Sequence, residues 1–294
     1  MKKKSSFSTQ GHRADIGELS IQRLLPNRYA NAVGPFVFLD HIIPTIQTKV
    51  NKEGTGAHPH RGIATLTYIL NGEDEHFDSA GNYAMVHSGG VQWMKAGNGI
   101  IHDETLNYDA ETDSRLVHAF QFWINLPAAI KAQPPAYLAI QAHEVPYKVL
   151  PDNKGWIKVV AGSFQELSSP IPNYSQQFLY HIHLAPGADF TVDFTGEVEV
   201  AACLPTLPAL LNDEPFNAGD FIEFSRQEGS IQLRNENKEA CDILLFGGEH
   251  YKEAIIAEGP FVMNSKLDIA AAYRDFYNGS YGTIDYKKQR LAAG

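Results

Sequence analysis

Two short motifs with the same spacing of chemically active side chains constrain this chain more than any other feature. They are His58-Pro59-His60 and His102-Asp103-Glu104. Successive side chains of a β-strand point to opposite faces, so the first and third residues of each motif would share one face. Two such strands, paired in a barrel, would bring three imidazoles and one carboxylate to a single divalent transition metal ion, an N₃O ligand set. The motifs therefore predict metal ligands at His58, His60, His102 and Glu104.

The sequence around both motifs favours strands. Residues 61–70 are rich in Ile, Thr, Leu and Tyr, and the Asn71-Gly72 pair that follows is typical of a tight turn. Gly97-Asn98-Gly99 precedes the second motif, which predicts a turn that leads into its strand. A single His-x-His is common by chance, so the strand context of both motifs is what favours a metal site.

The whole chain has the pattern of an all-β protein. Short apolar or alternating segments recur between Gly, Pro, Asn and Asp residues, and few segments have helical periodicity. This pattern predicts a β-sandwich or a β-barrel. The main predicted strands are residues 36–39, 63–70, 119–124, 156–161, 178–184 and 242–246.

A chain of 294 residues suits two domains, each with its own core. Residues 139–154 lack strong periodicity and contain two prolines. We therefore predict an N-terminal metal-binding domain over residues 1–140 and a C-terminal domain over residues 141–294. The second domain is expected to end in a short helix, with Ser265 as its N-cap and Asn278-Gly279 as its end.

The charge and the cysteine content exclude several classes of function. With 24 basic and 34 acidic residues, the net charge of −10 opposes phosphate backbones, so direct nucleic-acid binding is not expected. No apolar run approaches the roughly 18 residues that cross a bilayer, and the basic start is not followed by the apolar segment of a signal peptide. Cys203 and Cys241 are interpreted as buried free thiols of a reducing compartment, which predicts a cytoplasmic protein without membrane attachment.

Several stretches resemble known families. The first motif with Arg61-Gly62 resembles the first half of a cupin metal motif, and VQWMKAGNGIIHDE at 91–104 resembles the signature of the pirin family. Further stretches that agree with pirins are GPFVFLD at 34–40, QFWINLP at 121–127 and GPFVMN at 259–264. The resemblance therefore extends over most of the chain and is densest between residues 34 and 127.

The resemblance implies a particular architecture. Pirins are bicupins, with two face-to-face cupin (jelly-roll) β-barrels and a metal in the N-terminal barrel only. The ligands of the family fall on the same four residues that the spacing indicates. Pirins often carry an acidic residue shortly after the His-x-His, where this chain has Ala64 or Thr65. We therefore expect an intact ligand set beside an altered pocket wall.

Other polar residues have competing interpretations. His181 and His183 form a further His-x-His, but they alternate with Leu and Ile and no Gly-x-x-His-x-Glu follows. We interpret them as the polar face of a half-exposed strand and expect no metal there, in agreement with the resemblance. His76 would line the pocket or stabilise a turn, and the turn is favoured. Gln121 and Trp123 share one strand face, and Phe120 and Phe122 share the other. Either pair could face the cavity, and core packing is favoured.

The expected chemistry follows from the ligand set. Four protein ligands leave up to two adjacent positions on a six-coordinate ion, and the N₃O set suits Fe(II) first, with Ni, Mn, Cu or Zn as other occupants. An open Fe(II) site can bind a phenolate-type chelator and activate it towards O₂. Together with the resemblance, this predicts a quercetin 2,3-dioxygenase-like oxidoreductase that acts on flavonol-type aromatic substrates. Glu104 would then be catalytic, as the acceptor of the hydroxyl proton.

Two other functions stay open. Some pirins are metal- or redox-sensitive partners of other proteins, including transcription regulators, so this chain would then be a non-enzymatic protein-binding regulator. A closed zinc site with the same ligands would instead only hold the barrel together. Loss of O₂ consumption in Glu104→Ala would indicate the enzyme. A large fall in melting temperature on chelation, without an accessible ligand position, would indicate the structural site.

Overall fold

The computed structural model describes residues 1–293, which form two compact units. Unit 1 comprises Met1–Arg13, Gln22–His41 and Val145–Tyr251. Unit 2 comprises Ala14–Ile21, Ile42–Glu144 and residues 252–293. Each unit is therefore built from segments that lie far apart in the sequence.

Strands dominate the described part of the chain. In chain order they are β1 (Ser5–Thr9), β2 (His12–Arg13), β3 (Ile21–Leu25), β4 (Phe36–Ile46), β5 (His58–His60), β6 (Ile63–Asn71), β7 (Glu73–Asp78), β8 (Tyr83–His87), β9 (Val91–Lys95), β10 (Ile100–Asn107), β11 (Leu116–Asn125), β12 (Ala136–Ile140), β13 (Tyr147–Val149), β14 (Gly155–Ala161), β15 (Ser163–Phe164), β16 (Leu167–Ser168), β17 (Gln177–Leu184), β18 (Asp189–Phe194), β19 (Val198–Cys203), β20 (Ala209–Leu211), β21 (Glu214–Phe216), β22 (Phe221–Phe224), β23 (Gly229–Arg234), β24 (Cys241–Glu249), β25 (Ile256–Glu258) and β26 (Phe261–Met263). The helices are α1 (Ala128–Lys131), α2 (Lys266–Tyr277) and α3 (Tyr286–Ala293), with a 3-10 turn at Pro151–Asn153. Each of the six strands expected from the sequence lies within one of these strands.

Unit 2 contains two larger antiparallel sheets and the short β25–β26 pair. In one larger sheet, β12, β9, β6 and β11 are neighbours in that order, and in the other the order is β5, β10, β7 and β8. Strand β10 alternates between the two faces of its sheet. Its buried positions include Ile100, His102, Glu104 and Leu106, and the residues between them are partly exposed. The alternation on which the metal prediction rests is therefore present.

The register of the sheet brings the two motifs side by side. β5 and β10 are antiparallel, with His58 opposite His102 and His60 opposite Ile100. On the other side of β10, β7 places His76 opposite Glu104. The predicted pairing of the two motif strands is confirmed.

The turn expected at Asn71-Gly72 is not a hairpin. β6 ends at Asn71, but it pairs with β9 and β11, whereas β7 pairs with β8 and β10. The chain therefore passes from one sheet to the other at Gly72, where φ is +111°. A Cβ atom there would lie 2.4 Å from the carbonyl oxygen of Asn107. The positive φ and this close approach, rather than a hairpin turn, explain the glycine.

Unit 1 contains two larger antiparallel sheets and the short β15–β16 pair. The strand orders of the larger sheets are β1-β22-β19-β24-β17-β14-β13 and β18-β23-β20-β21. The buried core includes Ile157, Ile182, Val200, Ile231 and Ile243. The N-terminal strand β1 forms one edge of the larger sheet through its pairing with β22.

The helix predicted in the tail is present. Its N-cap Ser265 accepts a hydrogen bond from the backbone N–H of Asp268 at 3.1 Å, and the helix ends before Asn278. Helix α3 follows it and was not expected from the sequence. The tail has its own buried cluster within unit 2, formed by Phe261, Met263, Ile269, Ala272 and Tyr281.

These contacts explain a difference from the predicted domain ranges 1–140 and 141–294. The change of unit after Glu144 lies close to the predicted boundary. At the two ends of the chain, however, residues 1–13 and 22–41 belong to unit 1, and residues 252–293 belong to unit 2. The reason is that β1 pairs with β22, while the apolar residues of the tail pack within unit 2. The hydrophobic periodicity of a terminal segment does not predict which sheet that segment joins.

The fold class itself is confirmed: the protein is an all-β bicupin with helix in its C-terminal tail. Within residues 1–293, every helix is too short or too polar to traverse a lipid bilayer.

Candidate metal centre

Three imidazoles meet on the inner face of the β5–β10 pair. Ring nitrogens of His58, His60 and His102 lie within 4.8 Å of one another. Nε2 of His58 is 3.0 Å from Nε2 of His102. Two nitrogens bound at right angles to one ion, each about 2.1 Å away, would also be about 3 Å apart. The spacing of these nitrogens therefore fits a shared divalent ion.

Carbonyl groups fix the opposite nitrogens of two of these rings. Nδ1 of His58 donates to the carbonyl of Gly56 at 2.7 Å, and Nδ1 of His60 donates to that of Pro260 at 3.0 Å. Because a carbonyl oxygen only accepts, the neutral rings carry their proton on Nδ1 and a lone pair on Nε2. Metal-binding histidines are commonly oriented by such a bond, so this observation also fits a metal site.

Burial keeps two of the rings in the neutral form that binds metal. The pKa of His60 is lowered to about 3, first by burial and then by the charge of nearby His58. His102 is fully buried, and burial followed by its histidine neighbours holds its pKa well below the usual range. Its Nδ1 has no hydrogen-bond partner.

Glu104 lies beside the three imidazoles. Its Oε2 accepts hydrogen bonds from Nε2 of Gln121 at 2.9 Å and from Oγ1 of Thr67 at 3.4 Å. Its Oε1 is 3.7 Å from Nδ1 of His102 and 3.6 Å from Nδ1 of His76. His76, His102 and Glu104 form a second group of possible ligands, with donor atoms within 4.8 Å. The four predicted residues are thus neighbours, and His102 belongs to both groups.

His76 lies both at a turn and at the pocket. Its Nε2 is 3.3 Å from Oδ2 of Asp78, which also accepts a bond from the side chain of Asn82. The ring stacks on Tyr137, with centroids 4.2 Å apart and an interplanar angle of 12°. Burial disfavours the charged ring, but the carboxylates of Asp78 and Glu104 raise its pKa to about 9. The pocket position, which was not favoured from the sequence, is therefore correct alongside the turn contact.

Strand β11 presents its polar face to the site. Gln121 contacts the carboxylate of Glu104, and the ring of Trp123 lies 4.8 Å from that of His60 at 71°. Core packing, which the sequence favoured for Gln121 and Trp123, is wrong for Gln121. The register explains this, because Gln121 lies opposite Thr67 of β6. The signal in the sequence was the polar alternation of Gln121-x-Trp123.

A cavity of about 740 Å³ reaches Glu104. Its wall is formed by residues 16–19 and 49–55 together with Leu106. Sites for small molecules have volumes of about 300–1,000 Å³. The cavity is therefore large enough for a polycyclic aromatic ligand.

His181 and His183 of unit 1 have a different environment. Both rings donate to Oδ1 of Asp242, from Nε2 of His181 at 3.0 Å and from Nδ1 of His183 at 2.6 Å. The ring of Trp156 stacks on His183 at 4.9 Å. Burial alone would raise the pKa of Asp242. The hydrogen bonds from the two histidines outweigh this effect and hold the pKa below its usual range. The pair is thus part of a hydrogen-bonded polar group on the sheet.

Comparisons with known proteins agree with this architecture. The model of the pirin family matches residues 18–124, and that of the pirin C-terminal cupin domain matches residues 179–282. A pirin-like protein of Caulobacter vibrioides is 36% identical over 272 residues, which is 91% of this chain and 91% of the relative. Pirin-1 of Arabidopsis thaliana is 30% identical over 237 residues, which is 76% of this chain and 77% of the relative.

A solved structure is similar over nearly the full length. The crystal structure of quercetin 2,3-dioxygenase from Acinetobacter baumannii has a TM-score of 0.88 to this chain at 29% identity, covering 96% of this chain and 99% of the other. The two family models together match more than half of the chain. From its histidine motifs, its two cupin units and these matches, the chain belongs to the pirin family.

Proposed function

We propose that this chain is a metal-dependent oxidoreductase of the quercetin 2,3-dioxygenase type, acting on flavonol-type aromatic chelators with O₂. The observation that carries the proposal is a cavity of about 740 Å³ that is lined in part by Glu104, a residue that lies next to His102 of the three converging imidazoles. A purely structural metal site would need no such access for a ligand. The similarity to the Acinetobacter baumannii quercetin 2,3-dioxygenase supports the same reaction class.

The residues that would hold the ion are His58, His60, His102 and Glu104. Their N₃O donor set suits Fe(II) first, and Ni, Mn, Cu or Zn are chemically compatible. The ion, when bound, supplies Lewis-acid stabilisation of the deprotonated substrate and a meeting point for substrate and O₂.

Glu104 would accept the proton of the substrate hydroxyl group. Its Oε2 already receives hydrogen bonds from Gln121 and Thr67, so Oε1 is the oxygen with remaining accepting capacity. Oε1 faces Nδ1 of His76 at 3.6 Å. We therefore assign proton acceptance to Oε1, with Gln121 as a positioning residue that holds the carboxylate plane.

The test uses the full-length chain, purified without a metal-binding tag. Its metal content is measured, the metal is removed, and the protein is reloaded with Fe(II) under anaerobic conditions. O₂ uptake and carbon monoxide release are then followed with quercetin. His58→Gln and Glu104→Gln are compared with His143→Gln, because His143 is an exposed histidine remote from both motif strands in sequence.

We expect the wild type and His143→Gln to consume O₂ and release carbon monoxide, and His58→Gln and Glu104→Gln to lose at least 100-fold in rate. A metal-loaded wild type that consumes no O₂ and releases no carbon monoxide would refute the proposal. In that case a pull-down with and without metal would test the regulator alternative. A large loss of melting temperature on chelation without turnover would support the structural site.

A further inference from the structure

A second group of metal-ligating side chains lies at the end of the β10-β7-β8 sheet, and we infer that it is a divalent cation site. The group consists of Glu73, His87 and Asp109. Glu73 begins β7 and lies directly opposite His87, the last residue of β8. Asn107 of β10 is opposite Glu73 on its other side, and Asp109 follows two residues later. Three neighbouring chain segments thus each contribute one donor.

The distances in this group fit a shared ion. Nδ1 of His87 is 3.4 Å from Oδ1 of Asp109 and 3.7 Å from Oε2 of Glu73. The three donor atoms all lie within 4.8 Å of one another. Two ligands of a tetrahedral ion, each at about 2.1 Å, are about 3.4 Å apart. The side chains therefore need little movement to bind.

The central atom of the group makes no hydrogen bond. Nδ1 of His87 is buried and makes no hydrogen bond, although it faces two carboxylates. Within residues 1–293 no lysine or arginine forms an ion pair with Glu73 or Asp109. Asp109 is only 6% exposed and its ion-pair partner is His87, so beside a neutral imidazole its buried carboxylate lacks a cation, which is costly. A bound cation would satisfy all three side chains together.

Backbone contacts fix the two carboxylates. The N–H of Ala110 donates to Oε2 of Glu73 at 3.3 Å, and the N–H of Glu111 donates to Oδ1 of Asp109 at 2.9 Å. His87 is about one third exposed, so water can complete the coordination of an ion there. One imidazole and two carboxylates suit Zn²⁺ or Mn²⁺.

This site is distinct from the histidine centre. Side chains alternate along β7, so Glu73 lies on the opposite face from Asp74 and His76. Asp74 and His76 are buried at 1% and 0% exposure, and Glu73 is partly exposed. The inference therefore does not rest on the proposed dioxygenase function.

The experiment is a calorimetric titration of the metal-stripped full-length chain with Zn²⁺. The variants His87→Gln and Glu73→Gln remove the second site, His58→Gln/His60→Gln removes the first centre, and His143→Gln is the histidine control. Circular dichroism checks that each variant is folded. If His87→Gln or Glu73→Gln is unfolded, Asp109→Asn takes its place.

We expect His87→Gln and Glu73→Gln each to bind one equivalent of Zn²⁺ fewer than the wild type, or to bind it at least tenfold more weakly. His143→Gln should match the wild type, and His58→Gln/His60→Gln should retain the equivalent that His87→Gln loses. The same stoichiometry and affinity in wild type and His87→Gln would overturn the inference. If the first centre does not bind metal, the wild type and His58→Gln/His60→Gln will bind the same number of Zn²⁺ equivalents, and this result would not affect the second site.

Discussion

The side-chain amide of Gln121 donates to Oε2 of Glu104 over 2.9 Å, from the sheet that faces the motif strands. This bond links β11 of one sheet to β10 of the other within unit 2. It leaves Oε1 of Glu104 directed towards the imidazoles of His76 and His102. Gln121 thereby determines which carboxylate oxygen faces the histidines.

Gln121→Leu tests this positioning role. The substitution keeps a similar volume but removes the donor to Glu104, so we expect metal affinity to fall about 10- to 100-fold, as when outer partners of metal ligands are lost. Fe(II) affinity and the rate of O₂ uptake with quercetin are the measurements. Gln121→Glu should be worse than Gln121→Leu, because it places a second carboxylate against Oε2.

The control for this prediction is Gln227→Leu, since the side chain of Gln227 is exposed. Unchanged metal affinity in Gln121→Leu would show that the carboxylate is held by Thr67 and the strand alone.

Lys3 anchors the N-terminal strand of unit 1, and Lys3→Met should destabilise that unit. Its Nζ donates to the backbone carbonyls of Val198 at 3.3 Å, Ser225 at 2.8 Å and Gln227 at 2.6 Å. Burial lowers the pKa of this ammonium group, but the three acceptors need a donor. We expect a loss of about 1–3 kcal/mol in the free energy of unfolding. Differential scanning calorimetry compares it with Lys4→Met, an exposed lysine whose loss should have little effect.

Tyr286 connects helix α3 to the motif strand, and Tyr286→Phe should weaken unit 2. Its hydroxyl donates to Oδ2 of Asp103 at 2.9 Å, and burial together with that carboxylate raises the pKa of Tyr286 to about 12. The variant should lose about 1 kcal/mol, or about 2–4 °C in melting temperature. Tyr277→Phe is the matched control, because Tyr277 is 77% exposed on α2. Equal melting temperatures for the two variants would argue against a stabilising contact.

The Asp242 group predicts acid sensitivity of unit 1. The histidine bonds lower the pKa of Asp242 from its usual 3.8, so its contribution to stability is present above pH 3.8 and is lost as pH falls through the lower folded pKa. Burial lowers the pKa of His181 from 6.5, so the unfolded chain takes up its proton first and stability also falls below pH 6.5. Besides Asp242, the charged or titratable groups beside His181 are Lys158 and His183.

Asp242→Asn separates the two effects. We expect a destabilisation of about 1–3 kcal/mol at neutral pH that shrinks below pH 3.8, while the decline from pH 6.5 persists. Urea unfolding at a series of pH values is the measurement, with the exposed Asp193→Asn as control. A difference between wild type and Asp242→Asn that stays constant down to pH 2 would contradict this assignment.

The sequence was sufficient where the proximity of side chains depends on local spacing. The sequence predicted that His58, His60, His102 and Glu104 lie close together because a strand repeats every two residues, and the structure places them as neighbours. The tail helix was equally local, since Ser265 caps its first turn.

The sequence was insufficient where the site depends on pairing between distant strands. Gln121 reaches Glu104 only because β11 pairs with β6, and His76 does so only because β7 pairs with β10. Neither register can be read from the alternation within one strand. The glycine at position 72 was identified as a turn, but its actual role is a close approach to Asn107.

The alternation along β10 limits how the length of this segment can change. One residue inserted between Gly99 and His102 would turn the following side chains to the opposite face, so Asp103 would take the position of Glu104 opposite His76 while His102 and Glu104 pointed towards α3. Two inserted residues would return His102 and Glu104 to the inner face, although both would move by about 7 Å along the strand relative to His58 and His60. Members of this family that keep a working centre should therefore carry no single-residue insertion or deletion in this stretch.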